Sequence, residues 1–319
     1  MKARKGLPGI LLALSLVPCL PLSVAYGQSG RVVVVKSRDL APYNQAVKGL
    51  RRALMAYDPS LSVQELQFPQ SDLGEKSFLE ELQRSRPDLI VTIGTQATRS
   101  IGRRIADVPV VFSLVLLTGE SEVLFRQRPR NVTGAAMDVP VATQFARLKE
   151  IIPGLSRVGV IYNPKMTGEA IAAARSAAAA GALSLVEIPV ANEDQVMRAM
   201  EGLKGRVDAL WSVADSTVFT PRSVDNILLL TLRDGIPFVG LSPSFVKAGA
   251  LLSFSCDYED VGAQSGEIAA DILKGKSPSE LPVVYPRHVS LFLNLNTARS
   301  IHLEIPQEIQ AESQIEFKK

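Results

Sequence analysis

The chain has 319 residues, of which 46% are hydrophobic and 21% are charged. This balance excludes a disordered protein and a helical membrane bundle, and the length suits two domains of ordinary size. The formal net charge of +3 comes from Lys2, Arg4 and Lys5, because the remaining 32 of the 35 basic side chains match the 32 acidic ones. The overall charge therefore gives no support to nucleic-acid binding.

The N-terminus has the pattern of a secretory signal peptide. Its basic residues precede an apolar run over residues 11–24, and positions 25 and 27 hold the small residues that a signal peptidase reads. The pattern predicts a leader over residues 1–27, cleaved after Gly27, and a periplasmic protein. An uncleaved membrane anchor is the alternative. Lipid attachment at Cys19 is disfavoured, because the preceding residue is a proline and the apolar run continues past the cysteine.

Beyond the leader, short β-branched runs alternate with helical patterns, which is typical of parallel sheets covered by helices. In the first array we predict strands at residues 31–36, 62–66, 89–93 and 109–113 and helices at 43–57, 75–84 and from 95, followed by a less regular stretch that ends at residues 132–135. After residue 140 the alternation starts again, with strands predicted at residues 157–162, 183–188, 209–213, 237–240 and 250–254 and helices at 142–152, 168–181, 194–203 and 218–234. The fold class is therefore α/β, with two doubly wound domains.

The C-terminal segment is too short for a third domain. It contains an amphipathic helix at residues 260–274 and a strand at 289–293, which are too little to bury a core alone. The helix is therefore expected on one domain and the strand in the other sheet, so the chain must cross between the domains more than once.

Signatures of catalysis and of cofactor binding are missing from the sequence. His288 and His302 are the only histidines, so a histidine-based metal motif is excluded. Residues 275–277 read Gly-Lys-Ser but lack the first glycine of a phosphate-binding loop, and no GxGxxG follows the first strand. After removal of the leader Cys256 is the only cysteine, and we interpret it as a buried small residue rather than a nucleophile. No cofactor and no metal are expected.

Polar residues follow several predicted strands, where open α/β sheets bind ligands. Each of them has a simpler explanation, because Thr95, Asn163 and Asp215 are also good helix caps or turn residues. The candidate ligand-binding residues are Gly94, Thr95, Gln96, Ser113, Asp138, Asn163, Asp215, Ser216 and Thr217.

Several segments resemble the ABC-transporter substrate-binding proteins of the tryptophan/tyrosine-binding type. They include IVTIGTQAT at residues 90–98, the block NVTGAAMDVPVATQFARLKEIIPGLSRVGVIYNP at 131–164, and VKAGALLSFSCDYEDVGAQSGEIAADILKGKSPSELPV at 246–283. The resemblance covers essentially the whole mature chain. The chain departs from those relatives in the loops after the first and fourth strands, at residues 37–43 and 116–120.

The resemblance implies a type I periplasmic-binding-protein fold, with two Rossmann-like lobes joined by three crossovers and the ligand in the cleft between them. The N-terminal lobe would comprise residues 28–136 plus 257–284, and the C-terminal lobe residues 137–256 plus 285–319. N–H groups around Thr95 would hold a carboxylate, and an acid, Asp215 first, would hold an amine.

The expected function is that of an exported, monomeric solute-binding protein, not an enzyme. It would capture a small molecule, such as an amino acid or another small carboxylate, and deliver it to an ABC permease. Two alternatives stay open at this point: a ligand-sensing input protein for a membrane receptor, and an exported enzyme that uses Asp215 or Asp257 as an acid or base.

Overall fold

The computed structural model describes residues 30–117 and 128–317. The leader predicted for residues 1–27 lies outside these ranges, as does the part of the fourth-strand loop from residue 118 to 120. Within the described ranges, no helix is both long and apolar enough to cross a bilayer.

Five parallel strands form the sheet of the first lobe, in the order β2-β1-β3-β4-β5. Its strands are β1 (Arg31–Lys36), β2 (Ser62–Gln67), β3 (Leu89–Ile93), β4 (Val110–Val115) and β5 (Val132–Ala136). The helices that follow the first three strands are α1 (Ala41–Tyr57), α2 (Asp72–Arg84) and α3 (Thr95–Arg104).

Both faces of this sheet are covered, which is why its central strands are continuous apolar runs. In β1, Val32 and Val34 pack on one side with α1, whereas Val33 and Val35 pack on the other side with α2 and α3.

The second lobe has a seven-stranded sheet in the order β12-β11-β10-β9-β8-β6-β7. Its strands are β6 (Arg157–Tyr162), β7 (Ser184–Pro189), β8 (Ala209–Trp211), β9 (Phe238–Gly240), β10 (Leu252–Cys256), β11 (Val289–Asn294) and β12 (Gln314–Phe317). Strands β6 to β10 are parallel to one another, and β11 runs antiparallel to β10.

Helices cover both faces of this sheet as well. The helices are α4 (Val141–Ile151), α5 (Pro164–Ala180), α6 (Val196–Leu203), α7 (Pro221–Arg233), α8 (Pro243–Ala248), α10 (Leu295–Ser300) and α11 (Gln307–Glu312). One apolar cluster includes residues of α4 and α5, and the cluster on the opposite face includes residues of α6 and α7.

The remaining long helix, α9 (Tyr258–Leu273), follows a strand of the second lobe but packs against α1 of the first. Its glycines allow this contact to be unusually close. A Cβ on Gly262 would lie 2.0 Å from the carbonyl oxygen of Ala46, and a Cβ on Gly49 would lie 1.8 Å from that of Glu259. Only glycine fits at such points, so this helix pair is fixed by backbone-to-backbone packing.

Three segments connect the lobes. The first links β5 to α4, the second links β10 to α9, and the third leaves the first lobe at Val284, which pairs with Ala135 beside β5, and leads into β11. The N–H of Asp257 donates to the carbonyl of His288 over 3.4 Å, so the second and third segments run side by side. The predicted α/β fold with two lobes and three crossovers is confirmed.

Candidate functional site

The N-terminus of α3 presents backbone donors at the carboxyl end of β3. Gly94 has φ +87° and donates its N–H to the carbonyl of Ser113 over 2.9 Å. The N–H of Ala97 donates to Ser37 Oγ over 3.0 Å, whereas the N–H groups of Thr95 and Gln96 have no acceptor among the described residues. Such a helix terminus combines N–H donors with a positive dipole end, and it attracts anions.

The turn into α3 leaves no room for a side chain at residue 94. A Cβ there would lie 2.4 Å from the hydroxyl oxygen of Tyr43, which belongs to the first turn of α1. Burial raises the pKa of the Tyr43 hydroxyl, and the charge of Arg38 acts in the opposite direction. Sequence reasoning did not single out Ser37 or Tyr43. The only sequence signal for them was their position in the loop after the first strand.

Next to this turn, β4 is distorted at its carboxyl end. The pairing register with β5 shifts between Ser113 and Val115, and Leu114 between them has φ +53°. A leucine in this left-handed conformation costs about 1–2 kcal/mol, and such strain and bulges concentrate near functional sites. Ser113 Oγ is fully buried and has no hydrogen-bond partner among residues 30–117 and 128–317.

In the second lobe, Asp215 connects the ends of two strands. Its side chain is only 1% exposed. Oδ2 accepts hydrogen bonds from the N–H of Asn163 and from Thr167 Oγ1, each over 2.7 Å, and Oδ1 accepts one from the N–H of Thr217 over 2.9 Å. The carboxylate thus links the segment after β8 to the start of α5. Thr167 was not predicted, because only the folded chain brings it beside Asp215.

Asn163 completes this network. Its Oδ1 caps α5 by accepting from the N–H of Lys165 over 3.0 Å, and its Nδ2 donates to Thr217 Oγ1 over 3.0 Å. Asn163 is buried, Thr217 is half-buried and Ser216 is exposed. Of these candidates, Ser216 and Thr217 are therefore the ones that this edge of the second lobe presents to solvent.

Asp138 lies in the first connecting segment and is partly buried. Its Oδ2 accepts a hydrogen bond from the N–H of Leu117, just beyond β4, over 2.7 Å. Burial raises the pKa of the Asp138 carboxyl to about 6, against the lowering effect of the Leu117 N–H and of the residue's own N–H. The charge of Asp138 also contributes to the raised pKa of the Cys256 thiol and of the Tyr285 hydroxyl.

The predicted residues thus form two groups and a single residue. Gly94, Thr95, Gln96 and Ser113 lie together at the edge of the first sheet, and Asn163, Asp215, Ser216 and Thr217 at the edge of the second. Asp138 stands apart from both groups, among the connecting segments.

Two surface cavities lie elsewhere. One of about 390 Å³ is lined by residues of α2 and α3, including Glu75 and Arg104. Another, of about 650 Å³, is lined by charged residues of α1 and of the start of α9, together with His288. The described residues contain no cluster of His, Cys, Asp or Glu that could hold a metal ion.

Two doubly wound lobes joined by three crossovers, with polar groups at the strand ends of each lobe, define the class of two-lobed solute-binding proteins. The chain belongs to the ABC transporter substrate binding protein family, whose model matches residues 36–315. The family and its structural neighbours are solute-binding proteins and not enzymes. The resemblance drawn from the sequence is confirmed.

Named relatives resemble the chain in sequence, and solved structures share its fold. A tyrosine-binding protein of Clostridioides difficile (strain R20291) is 23% identical over 233 residues, which cover 72% of this chain and 67% of that protein. The ligand-free, open structure of a substrate-binding protein with adhesive properties from Clostridium difficile has a TM-score of 0.74 at 20% identity, covering 91% of this chain and 100% of that one. A Streptococcus pneumonia ABC domain in complex with L-Trp has a TM-score of 0.64 at 18% identity, covering 90% and 99%.

Proposed function

We propose that the mature protein is a periplasmic, monomeric solute-binding protein that captures an amino acid or another small carboxylate between its lobes and delivers it to an ABC importer. The observation that carries the proposal is the pair of N–H groups of Thr95 and Gln96 at the N-terminus of α3, which have no acceptor among the described residues. The names of the tyrosine-binding and L-Trp-bound relatives support an amino acid as the ligand.

In this proposal the first lobe holds the ligand carboxylate and the second lobe closes over it. The exposed Ser216 and half-buried Thr217 offer hydroxyl groups, and Asp215 Oδ1 accepts a hydrogen bond from the backbone N–H of Thr217. A ligand that contacts both edges favours the closed arrangement of the lobes, because it binds that arrangement more tightly than the open one. The permease would then recognise the closed form.

Substitution at the first helical position tests the carboxylate site. Thr95→Pro removes one N–H while leaving a residue that the first turn of a helix tolerates well. Thr95→Ala keeps the N–H and removes the hydroxyl and the γ-methyl group, so it is the control for loss of the side chain. Loss of a charge-assisted hydrogen bond costs about 1.5–3 kcal/mol, or roughly tenfold to hundredfold in affinity.

The measurement is a thermal-shift screen of residues 28–319 against amino acids, small carboxylates, purines and sugars, followed by calorimetry. A ligand at 100 times its dissociation constant adds about 2.7 kcal/mol to the stability. We expect a carboxylate-bearing compound to raise the melting temperature, with weaker binding in Thr95→Pro and near-normal binding in Thr95→Ala. Equal affinities of the two variants for the ligand would contradict a carboxylate site at the N-terminus of α3. A sugar or purine as the only ligand in the screen would overturn the proposed ligand class.

A further inference from the structure

The first connecting segment passes from one lobe to the other within two residues. Asp138 Oδ2 accepts a hydrogen bond from the N–H of Leu117 over 2.7 Å, which holds Asp138 to the first lobe. Val139 is buried in the apolar cluster of the second lobe that also contains Trp211. The change of lobe therefore falls on the single step from Asp138 to Val139, which we call the first pivot. Pro140 follows directly and restricts the backbone of Val139 on the second-lobe side.

The other two segments meet the second lobe in a different way. The second segment leaves it at Cys256, the last residue of β10, and the third enters it at Val289, the first residue of β11. These two residues pair with each other in the sheet, so strand pairing fixes both ends. The first segment instead enters a helix, because Pro140 is the N-cap of α4 and forms no side-chain hydrogen bond there. Its second-lobe end must be held by something other than a strand.

The side chain of Gln144 supplies this connection. Its Nε2 donates to the carbonyl of Val139 over 2.8 Å, and its Oε1 accepts from Trp211 Nε1 over 2.9 Å. Trp211 is the last residue of β8, is buried, and packs edge-on against the ring of Phe145 with the centroids 5.3 Å apart. The segment after β8 carries the candidate ligand-binding residues 215–217. One carboxamide thus joins the first pivot to the strand that leads to the candidate site of the second lobe.

The chemistry of the two neighbours requires a carboxamide at residue 144. An indole N–H can only donate a hydrogen bond, and a backbone carbonyl can only accept one. The side chain between them must therefore end in one acceptor and one donor, and the two neighbours also fix which way the amide points. An ionised glutamate could accept from Trp211 but could not donate to Val139, and a methionine of similar size could do neither.

We propose that Gln144 is a positioning residue for solute capture, because its carboxamide fixes the second-lobe end of the first pivot. The inference rests on the proposed function, since its effect on affinity needs a ligand between the lobes. Hinges work through a few residues whose backbone torsions change. Without the Gln144 bond, the backbone of Val139 would gain freedom in the open protein and would have to be ordered again on closure. Ordering one more backbone residue should weaken ligand binding about tenfold.

The chain contains a matched control for this bond. Gln310 lies four residues after Pro306, as Gln144 does after Pro140, and its Nε2 donates to the carbonyl of Ile305 over 2.8 Å. The bond stands at the start of α11, in the same lobe but outside the connecting segments. Gln310→Met therefore removes an equivalent local bond and leaves the first pivot intact.

The test uses residues 28–319 with spin labels at Leu73→Cys and Met197→Cys, two exposed positions in the first and second lobes, whereas Cys256 is buried. Double electron–electron resonance gives the distribution of distances between the two labels without any ligand. We expect a wider distribution in Gln144→Met and Gln144→Glu than in wild type or Gln310→Met. Calorimetry with L-tyrosine and L-tryptophan should then show about tenfold weaker binding in both Gln144 variants and unchanged affinity in Gln310→Met.

Equal widths in Gln144→Met and Gln310→Met would overturn the inference, as would a wider distribution with unchanged affinity. Wild-type width in Gln144→Glu would also overturn it, because that variant lacks the donor to Val139. If wild type binds neither amino acid, the amino-acid part of the proposed function fails, and the ligand-free distributions still decide whether Gln144 fixes the pivot. Gln144→Glu keeps the acceptor for Trp211, so it carries the test if Gln144→Met does not fold.

Discussion

Asp138 and Asp215 are the same residue type in two different environments. Asp215 is surrounded by donors from α5 and from the segment after β8, whereas Asp138 has, among the described residues, one donor besides its own N–H. A buried carboxylate with several donors organises the backbone around it, and one with few donors ionises less readily. The difference gives the two acids separate experimental signatures.

Removal of the Asp215 carboxylate should destabilise the second lobe. Asp215→Ala leaves the N–H groups of Asn163 and Thr217 and the hydroxyl of Thr167 without their acceptor. Unsatisfied buried donors cost about 1–3 kcal/mol each, so we expect a loss of about 3 kcal/mol in the free energy of unfolding, measured by urea denaturation. Asp107→Ala, at an exposed position, should change it by less than about 0.5 kcal/mol. A loss below 1 kcal/mol in Asp215→Ala would show that water replaces the carboxylate.

Asp138 should make the protein less stable as the pH rises. Its pKa is raised from 3.8 to about 6 in the folded state, so the native protein binds the proton more tightly than the unfolded chain does. Stability is therefore highest below pH 3.8 for this group, falls between pH 4 and 6, and is lower by up to about 3 kcal/mol above pH 6.

Asp138→Asn keeps an oxygen for the Leu117 N–H and removes the charge. In the absence of ligand we expect it to melt at a higher temperature than wild type at pH 7.5, with the difference shrinking towards pH 4.5. Differential scanning calorimetry across that range measures this directly. A constant difference at every pH would mean that packing, and not ionisation, separates the two proteins.

Among the elements, the α1–α9 pair is the most sensitive to a single added methyl group. In Gly262→Ala the Cβ would lie 2.0 Å from the carbonyl oxygen of Ala46, so one helix must move. Overpacking of this kind costs about 1–3 kcal/mol or more. Gly168→Ala is the matched control within helix α5, because nothing lies within 4 Å of its added Cβ. There the higher helix propensity of alanine should stabilise the protein by about 0.5–1 kcal/mol.

In chemical denaturation we expect Gly262→Ala to lower the free energy of unfolding and Gly168→Ala to raise it. Equal effects of the two substitutions would contradict the idea that α9 is held by backbone contact with α1. The comparison is informative because both changes place the same methyl group in a helix.

Elements buried on both faces were predictable from the sequence, and elements of six residues or fewer outside the central strands were not. The run at residues 31–36 and the pattern at 260–274 gave β1 and α9 within two residues, because their apolar spacing follows directly from what they pack against. Helices α8, α10 and α11 and strand β12 were missed. Each has four to six residues, too few for a periodicity to appear, and each depends on tertiary contacts.

The candidate site was likewise only partly predictable from the sequence. The junction residues Thr95 and Asn163 could be predicted, because the carboxyl ends of parallel strands meet at one edge. The hydroxyl of Tyr43 beside Gly94 and that of Thr167 beside Asp215 could not. These contacts join residues that are 48 or more positions apart in the chain, and their geometry arises only on folding.

At the scale of the whole molecule, α9 comes after most of the second lobe in the chain, so the folding of the first lobe is coupled to that of the second. The first lobe is completed only after the chain has passed through β10 of the second. We expect a fragment of residues 30–136 to stay unfolded by circular dichroism, since the apolar face of α1 that contacts α9 would be in water. Fusing residues 258–273 to it through a flexible linker should restore helical signal and cooperative melting. A fragment that melts cooperatively without α9 would show that the lobe does not need it.

Closure of the lobes can be followed with two dyes, because residues 28–319 contain a single cysteine, which does not interfere. Cys256 is buried, and its thiol pKa of about 12 leaves almost no thiolate at pH 7.5. Leu73→Cys and Met197→Cys place exposed thiols near the N-termini of α2 and α6, at the strand-end edges of the first and second lobes.

If ligand favours closure of the lobes, energy transfer between the two dyes should increase saturably with L-tyrosine or L-tryptophan. The same variant carrying Thr95→Pro should need a higher ligand concentration, in proportion to its weaker binding. Binding seen by calorimetry without any change in energy transfer would mean that capture occurs without hinge motion.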